Sequence, residues 1–205
     1  MLNNLTPKQI QNKLDFIKNY IAAGNAADGS IVDPNSNVTT KNVATMEAEL
    51  YKYENIQVNR AIICEKLTEM EGTELAAQYL KDIHDHLIYV HDETSLKPYC
   101  ASITLYPFLF EGSKTLGGTS SRPRNLQSFC GSFVNLMYQI AGGFAGAVAT
   151  VEFLMYFDYF AKKTYGTSYL TTNSREIKQE LQGVIYSMNQ PAAARGFQSI
   201  FWNIS

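Results

Sequence analysis

At 205 residues, 45% of them hydrophobic and 18% charged, the chain can bury a sizeable core without disulfide staples. A formal net charge of -2 and a pI near 5.9 exclude the basic footprint by which proteins grip nucleic acid or an anionic membrane surface. Nucleotides stay open, because a phosphate site needs only a few local donors.

The first ten residues are polar and lack the apolar stretch of a secretory signal. Thr6 is placed to cap a helix from Pro7 to about Ala23, with Ile10, Leu14, Ile17 and Ile21 on one face. Gly24–Thr40, rich in Gly, Asn, Ser, Asp and Pro, reads as a linker or surface loop. Val43 to about Leu67 has helical spacing through Met46, Leu50, Ile56, Ala61 and Leu67, and a second helix is expected over Thr73–His84. Cys64 inside the first of these is expected to be a buried small hydrophobe.

Ile88-Tyr89-Val90 is an apolar, partly β-branched run that ends on His91-Asp92, and a second extended run is expected over Tyr99–Phe110, with Cys100 near its start. His84 and His86, two apart, would share one face of a strand as a metal site needs, or would simply finish an exposed helix end. Gly112–Arg124 is a Gly/Ser/Thr-rich loop carrying Lys114, Arg122 and Arg124, without the pattern of a phosphate-binding P-loop.

Leu126–Ile140 and Val151–Tyr165 read as two largely buried helices flanking the small-residue segment Ala141–Ala149. The second carries Phe153, Tyr156, Phe157, Tyr159 and Phe160 on nearly every face and so calls for a partner surface. Gly142, Gly143, Glu152 and Asp158 interrupt this apolar region before it could span a bilayer. A short helix over Arg175–Gly183, a strand over Val184–Met188 and a strand-like run over Ile200–Ser205 close the chain. Cys64, Cys100 and Cys130 form no C-x-x-C pair and fit a reducing compartment, so a cytoplasmic location is expected.

Three blocks, in order, resemble the catalytic subunit of the anaerobic (class III) ribonucleoside-triphosphate reductases, which are glycyl radical enzymes. Tyr89-Val90-His91-Asp92 with Tyr99-Cys100 is similar to the family's I-H-D block and the cysteine of its first barrel strand. Phe144-Ala145-Gly146-Ala147-Val148-Ala149 with Phe153, Tyr156 and Phe160 resembles its W-A-G-A-Q-A block and following helix. Asn189, Pro191, Arg195, Gly196, Gln198, Ser199, Phe201 and Asn203 resemble N-x-P-x-R-x-G-G-Q-x-P-F-T-N. Ile200 stands where the family has Pro, Trp202 where it has Thr, and Phe197 is an added aromatic, all in the block that would meet substrate.

The resemblance implies an α/β fold, the N-terminal part of a ten-stranded barrel with large helical content, with residues 1–36 as helix and linker and 37–205 as the incomplete barrel domain. It implies deoxyribonucleotide synthesis by radical chemistry: a thiyl radical made by a glycyl radical takes the ribose 3′-hydrogen, and the 2′-hydroxyl leaves as water. Cys100 matches the thiol that supplies reducing hydrogen, with formate or a thiol as final reductant. His91 would hydrogen-bond substrate or orient a neighbouring carbonyl; Asn203, Ser199 and Gln198 would hold substrate; Gln139, Lys114 and Arg122 are candidates for a nucleotide effector.

From the residues alone, Cys100 and His91 read as core side chains, Asp92 as a turn cap and Asn203 as a cross-strand hydrogen-bonding group. The finger-loop cysteine, the glycyl segment, its radical-SAM activase contact and the zinc cysteines are expected on a second chain, as from a split gene, and a homodimer is expected. The alternatives are a non-catalytic dimerisation or effector-binding remnant, and a metal-dependent hydrolase built on His84, His86 and His91.

Overall fold

The helix that opens the chain begins where its capping residues dictate. The computed structural model describes residues 5–22, 43–91, 93–115, 118–192 and 198–204, with side chains of a few of these left out. The chain divides into two compact units, Met1–Leu96 and Lys97–Ser205.

In the first unit, α1 spans Pro7–Ala22. The Thr6 hydroxyl accepts the Gln9 N–H at 3.3 Å while Gln9 Oε1 accepts the Thr6 N–H at 2.8 Å, a reciprocal cap. The expected single helix over 43–67 is two: α2, Val43–Leu50, and α3, Lys52–Glu71, with Tyr51 between them at φ -103, ψ 5. The corner is held by Lys13 of α1, whose ammonium lies 2.8 Å from the Leu50 carbonyl and 2.6 Å from the Glu54 carboxylate. A cation on the last carbonyls of a helix opposes its dipole. Cys64 is only half-buried, against expectation, and its thiol donates to the Ala76 carbonyl at 3.7 Å.

Helix α4 runs Thr73–His84, as the spacing predicts. The extended run expected to end on His91 does not form. Instead the Leu87 N–H reaches back to the Asp82 carbonyl at 2.8 Å, the His86 N–H to that of Ile83 at 3.2 Å, and His86 takes φ +57. This is the bond pair of a Schellman helix end, so the spacing of His84 and His86 belongs to a helix terminus rather than to a strand. Residues 87–96 are then tied to α3 by Arg60, whose Nε and Nη2 grip the Glu93 carboxylate at 2.8 and 2.6 Å, and by Asn59 on the Glu93 carbonyl. Asp92, read as a turn cap, and Gly24–Thr40, read as a linker, lie outside the described residues.

The second unit lays helices on one side of a small parallel sheet. Strands β1 (Ala101–Ser102), β4 (Val148–Ala149) and β7 (Trp202–Asn203) pair in that order, with Ala101 beside Val148 beside Trp202 and Ser102 beside Ala149 beside Asn203. Only these three strands, not ten, make up the parallel sheet of the described residues. The predicted strand over Tyr99–Phe110 is two residues long and gives way to α5, Tyr106–Glu111. Pro107 suits a first helical turn, and the Glu152 carboxylate receives the Leu105 N–H at 2.6 Å and the Thr104 hydroxyl.

The expected loop over 112–124 contains a hairpin, β2 (Ser113–Thr115) with β3 (Gly118–Ser120). Helix α6, Leu126–Ala141, opens with a capping box between Asn125 and Ser128. Its buried residues Leu126, Phe129, Cys130, Phe133, Met137 and Ala141 recur three and four apart and form the core stripe. Helices α7 (Phe153–Tyr165), α8 (Tyr169–Thr172) and α9 (Ser174–Met188) follow. The strand expected over 184–188 is the last turn of α9, because Ile177, Val184 and Met188 lie along one buried helical face. Strands β5 (Pro191–Ala192) and β6 (Gln198–Ser199) pair antiparallel.

A stacked aromatic group makes the centre. The Phe129 ring lies 5.0 Å from Phe160 and 5.7 Å from Phe153, and Phe133 lies 4.5 Å from Phe153. Among the described residues no helix is long and apolar enough to cross a membrane.

Candidate active site on the open face of the parallel sheet

Side chains alternate across a strand, so the register sorts the sheet into two faces. Val148 is fully buried and Trp202 half-buried on the core side. On the other side stand Cys100, Ser102 and Asn203, all exposed, with Ala147 and Ala149 low between them on the central strand. From strand spacing and rise, the Cα atoms of Cys100 and Asn203 are about 12 Å apart along this face. The second and third blocks of the sequence thus meet the cysteine of the first on neighbouring strands.

Cys100 enters β1 with its sulfur in a backbone setting. The Ala147 N–H donates to Cys100 Sγ at 3.2 Å, and the next residue's N–H, that of Ala101, donates to the Ala147 carbonyl at 3.1 Å. Cys130 is the contrasting thiol: buried in α6, it is pushed up to about 12 by desolvation and, less, by Glu180. The thiolate is the reactive form. Iodoacetamide at pH 8 is therefore expected to alkylate Cys100 in the native chain while sparing Cys130 until denaturant is added, as peptide mass spectrometry would show. Equal labelling of both would contradict the burial pattern.

Two of the three departures from the family pattern in the last block, Ile200 and Trp202, point away from this face. Ile200 is buried, and Trp202 sets its ring 4.8 Å from Phe153 and 5.1 Å from Phe133 while its indole N–H donates to the Thr150 hydroxyl at 2.7 Å. Thr150, fully buried, gains the partner its hydroxyl needs. The exchange of Thr for Trp is thus a matter of core packing.

The remaining candidates are scattered. Asn203 is exposed, and its carbonyl accepts the Thr150 N–H at 3.1 Å. Ser199 is half-buried in β6; Gln198 lies beside it, with only its backbone described. Arg195, Gly196 and Phe197 lie outside the described residues. His91 belongs to the first unit, exposed, with its Nδ1 3.1 Å from the Tyr89 hydroxyl. Gln139 lines a cleft of about 810 Å³ together with Thr104, Glu111, Ser113 and the apolar Phe108 and Leu136. Its Oε1 lies 3.5 Å from the Ser113 hydroxyl. Arg122 is exposed and does not line that cleft; of Lys114 only the backbone, in β2, is described. No group of three or more His, Cys, Asp or Glu that could hold a metal occurs among the described residues.

Ser102 and Gly146 were not among the sequence candidates. Ser102 follows Cys100 by two residues, and a period-two reading of that short strand would have found it. Gly146 sits in the second block, but only the fold reveals what it faces.

A parallel sheet backed by helices, with an exposed cysteine heading its first strand, makes the second unit an α/β scaffold. The family model described as anaerobic ribonucleoside-triphosphate reductase matches residues 47–205, and the chain belongs to that family. Among solved structures it is similar to the anaerobic ribonucleotide reductase from Thermotoga maritima in complex with dATP and CTP, with 22% identity and a TM-score of 0.73, covering 100% of this chain and 36% of that one. A structure described as anaerobic ribonucleotide reductase matches with 26% identity and a TM-score of 0.74, covering 96% of this chain and 30% of that one. The Thermotoga maritima enzyme with glycerol in the active site gives 24% identity and 0.74, covering 94% and 31%. The chain thus spans about a third of the length of the structures it matches. No curated protein matches it.

Proposed function

We propose that the chain forms the N-terminal part of the catalytic barrel of an anaerobic ribonucleotide reductase, with Cys100 as the thiol that delivers reducing hydrogen to the ribonucleotide. The observation that carries this is the exposed Cys100 entering β1, the strand whose Ser102 stands in register with Ala149 and the exposed Asn203. The open face of this sheet spans roughly the dimension of a nucleoside phosphate.

In this reading β1, β4 and β7 are neighbouring staves of a larger barrel, and their open face looks into its lumen. Asn203 holds the ribose or a phosphate through its amide, with Ser199 and Gln198 beside the same strand end. Replacing the 2′-hydroxyl by hydrogen releases water and consumes two electrons and two protons, which Cys100 and a formate or thiol reductant supply together. A sulfur held out of bulk water by the rest of the barrel delivers hydrogen without competing solvent chemistry.

A glycyl radical would supply the initiating chemistry by taking the hydrogen atom of a cysteine thiol onto its Cα and leaving a thiyl radical. We assign it, the zinc site and the activase contact to sequence outside these 205 residues. The described residues offer no ligand set for zinc, and no step here depends on one. Nucleotide effectors are assigned to the cleft at Gln139.

The test is reconstitution. Mixed anaerobically with a chain carrying the finger-loop cysteine and an activated glycyl segment, with a ribonucleoside triphosphate and formate, the chain is expected to yield deoxynucleotide. Absence of product with every such partner would defeat the reading.

A further inference from the structure

Residues 98–101 and 145–147 are joined by a ladder of hydrogen bonds. The Ala145 N–H donates to the Pro98 carbonyl at 3.0 Å and the Gly146 N–H to the Tyr99 carbonyl. At the next rung the acceptor changes: the Ala147 N–H donates to Cys100 Sγ at 3.2 Å. A side-chain sulfur thus takes the place where a carbonyl would stand in a regular ladder.

The rung exists because Gly146 has no side chain. A Cβ built there would lie 2.7 Å from Cys100 Sγ and 2.7 Å from the Tyr99 carbonyl oxygen, both inside contact distance, and the carbonyl is backbone that cannot swing aside. Gly146 is also buried, so a methyl group there would press on these neighbours rather than on solvent.

We propose that Gly146 and the Ala147 amide are positioning elements for the Cys100 thiol: the glycine opens the gap, and the amide fixes the sulfur's rotamer and engages a lone pair. This rests on the reading of Cys100 as the reducing thiol only for its catalytic meaning; the geometry stands apart from it. Delivery of a hydrogen atom needs donor and acceptor held in a near-attack arrangement, which a freely rotating thiol does not maintain.

Amide hydrogen exchange of the whole chain tests the rung directly. In Cys100→Ala the Ala147 amide is expected to exchange at least about fivefold faster, the factor expected for one net hydrogen bond. The Val148 and Ile103 amides, held by the Phe201 and Ala149 carbonyls at 2.9 Å each, are expected to keep their protection. Cys100→Ser, which retains an acceptor, restores part of the Ala147 protection. A smaller change at Ala147, or an equal rise at Val148 and Ile103, overturns the proposal.

Gly146→Ala is expected to lose protection at Ala147 as well and, in the reconstituted enzyme, to lower kcat at least tenfold with KM within twofold. An unchanged kcat overturns the catalytic meaning while leaving the exchange result standing. Failure to reconstitute the wild type would sink the functional reading and leave the rung testable.

Discussion

Cys100→Ser is expected to reduce deoxynucleotide formation in the reconstituted system by at least about a thousandfold, equivalent to about 4 kcal/mol in the barrier. Serine preserves the shape of the site and accepts the Ala147 N–H, yet its O–H bond is much stronger than S–H and does not yield a hydrogen atom to a carbon radical. The loss is therefore expected in kcat, with nucleotide affinity unchanged, since Cys100 carries no charge-bearing contact to substrate in the proposed pose. Retained Trp202 emission and continued protection of Cys130 would show that the fold survives. A variant with a tenth or more of wild-type turnover would remove Cys100 from the chemistry. The same variant separates the alternative of a non-catalytic module, in which partner and effector binding are the whole function and the substitution is silent.

Much of the helical framework was legible because amphipathic spacing and caps are local. Thr6 caps α1 as expected, and α4 and α6 run close to the predicted bounds. The strands were not. β1, β4 and β7 are two residues each, too short to carry a period of two, and their identity comes from partners 47 and 54 residues away in sequence. The run Val184–Met188 has strand-like composition but lies on a helix, because the core accepts Val184 and Met188 on the face that Ile177 begins.

The site divides the same way. Cys100 and Asn203 were singled out through blocks that resemble a family, whereas their placement on either side of β4 required the register. Ile88–Val90 misled because an apolar, β-branched composition does not itself make a strand: without a partner edge, Tyr89 stays exposed beyond the Schellman turn. Trp202 shows the converse. As a departure inside a substrate-facing block it reads as a change at the site, and the alternation of the strand turns it to the core.

That core sets the second large effect. Phe133 is fully buried and touches rings on two other elements, Phe153 of α7 at 4.5 Å and Trp202 of β7 at 5.1 Å, besides Phe129 of its own helix at 6.1 Å. Phe133→Ala removes a six-carbon ring whose neighbours are themselves locked by mutual stacking, so the cavity cannot collapse freely, and about 3–5 kcal/mol of stability is expected to be lost. Native domains hold only about 5–15 kcal/mol, so the second unit would approach its unfolding threshold. Trp202 is the only tryptophan in the chain, and its emission therefore reports this unit alone in a urea titration. The midpoint should fall sharply in Phe133→Ala and stay within experimental spread in Tyr159→Ala, where a ring 55% exposed is trimmed. Because the ring also braces β7 from behind, the variant is expected to loosen Asn203 on the opposite face and so to raise KM before it unfolds. A midpoint shift no larger than that of Tyr159→Ala would mean that the aromatic stack does not hold the sheet in place.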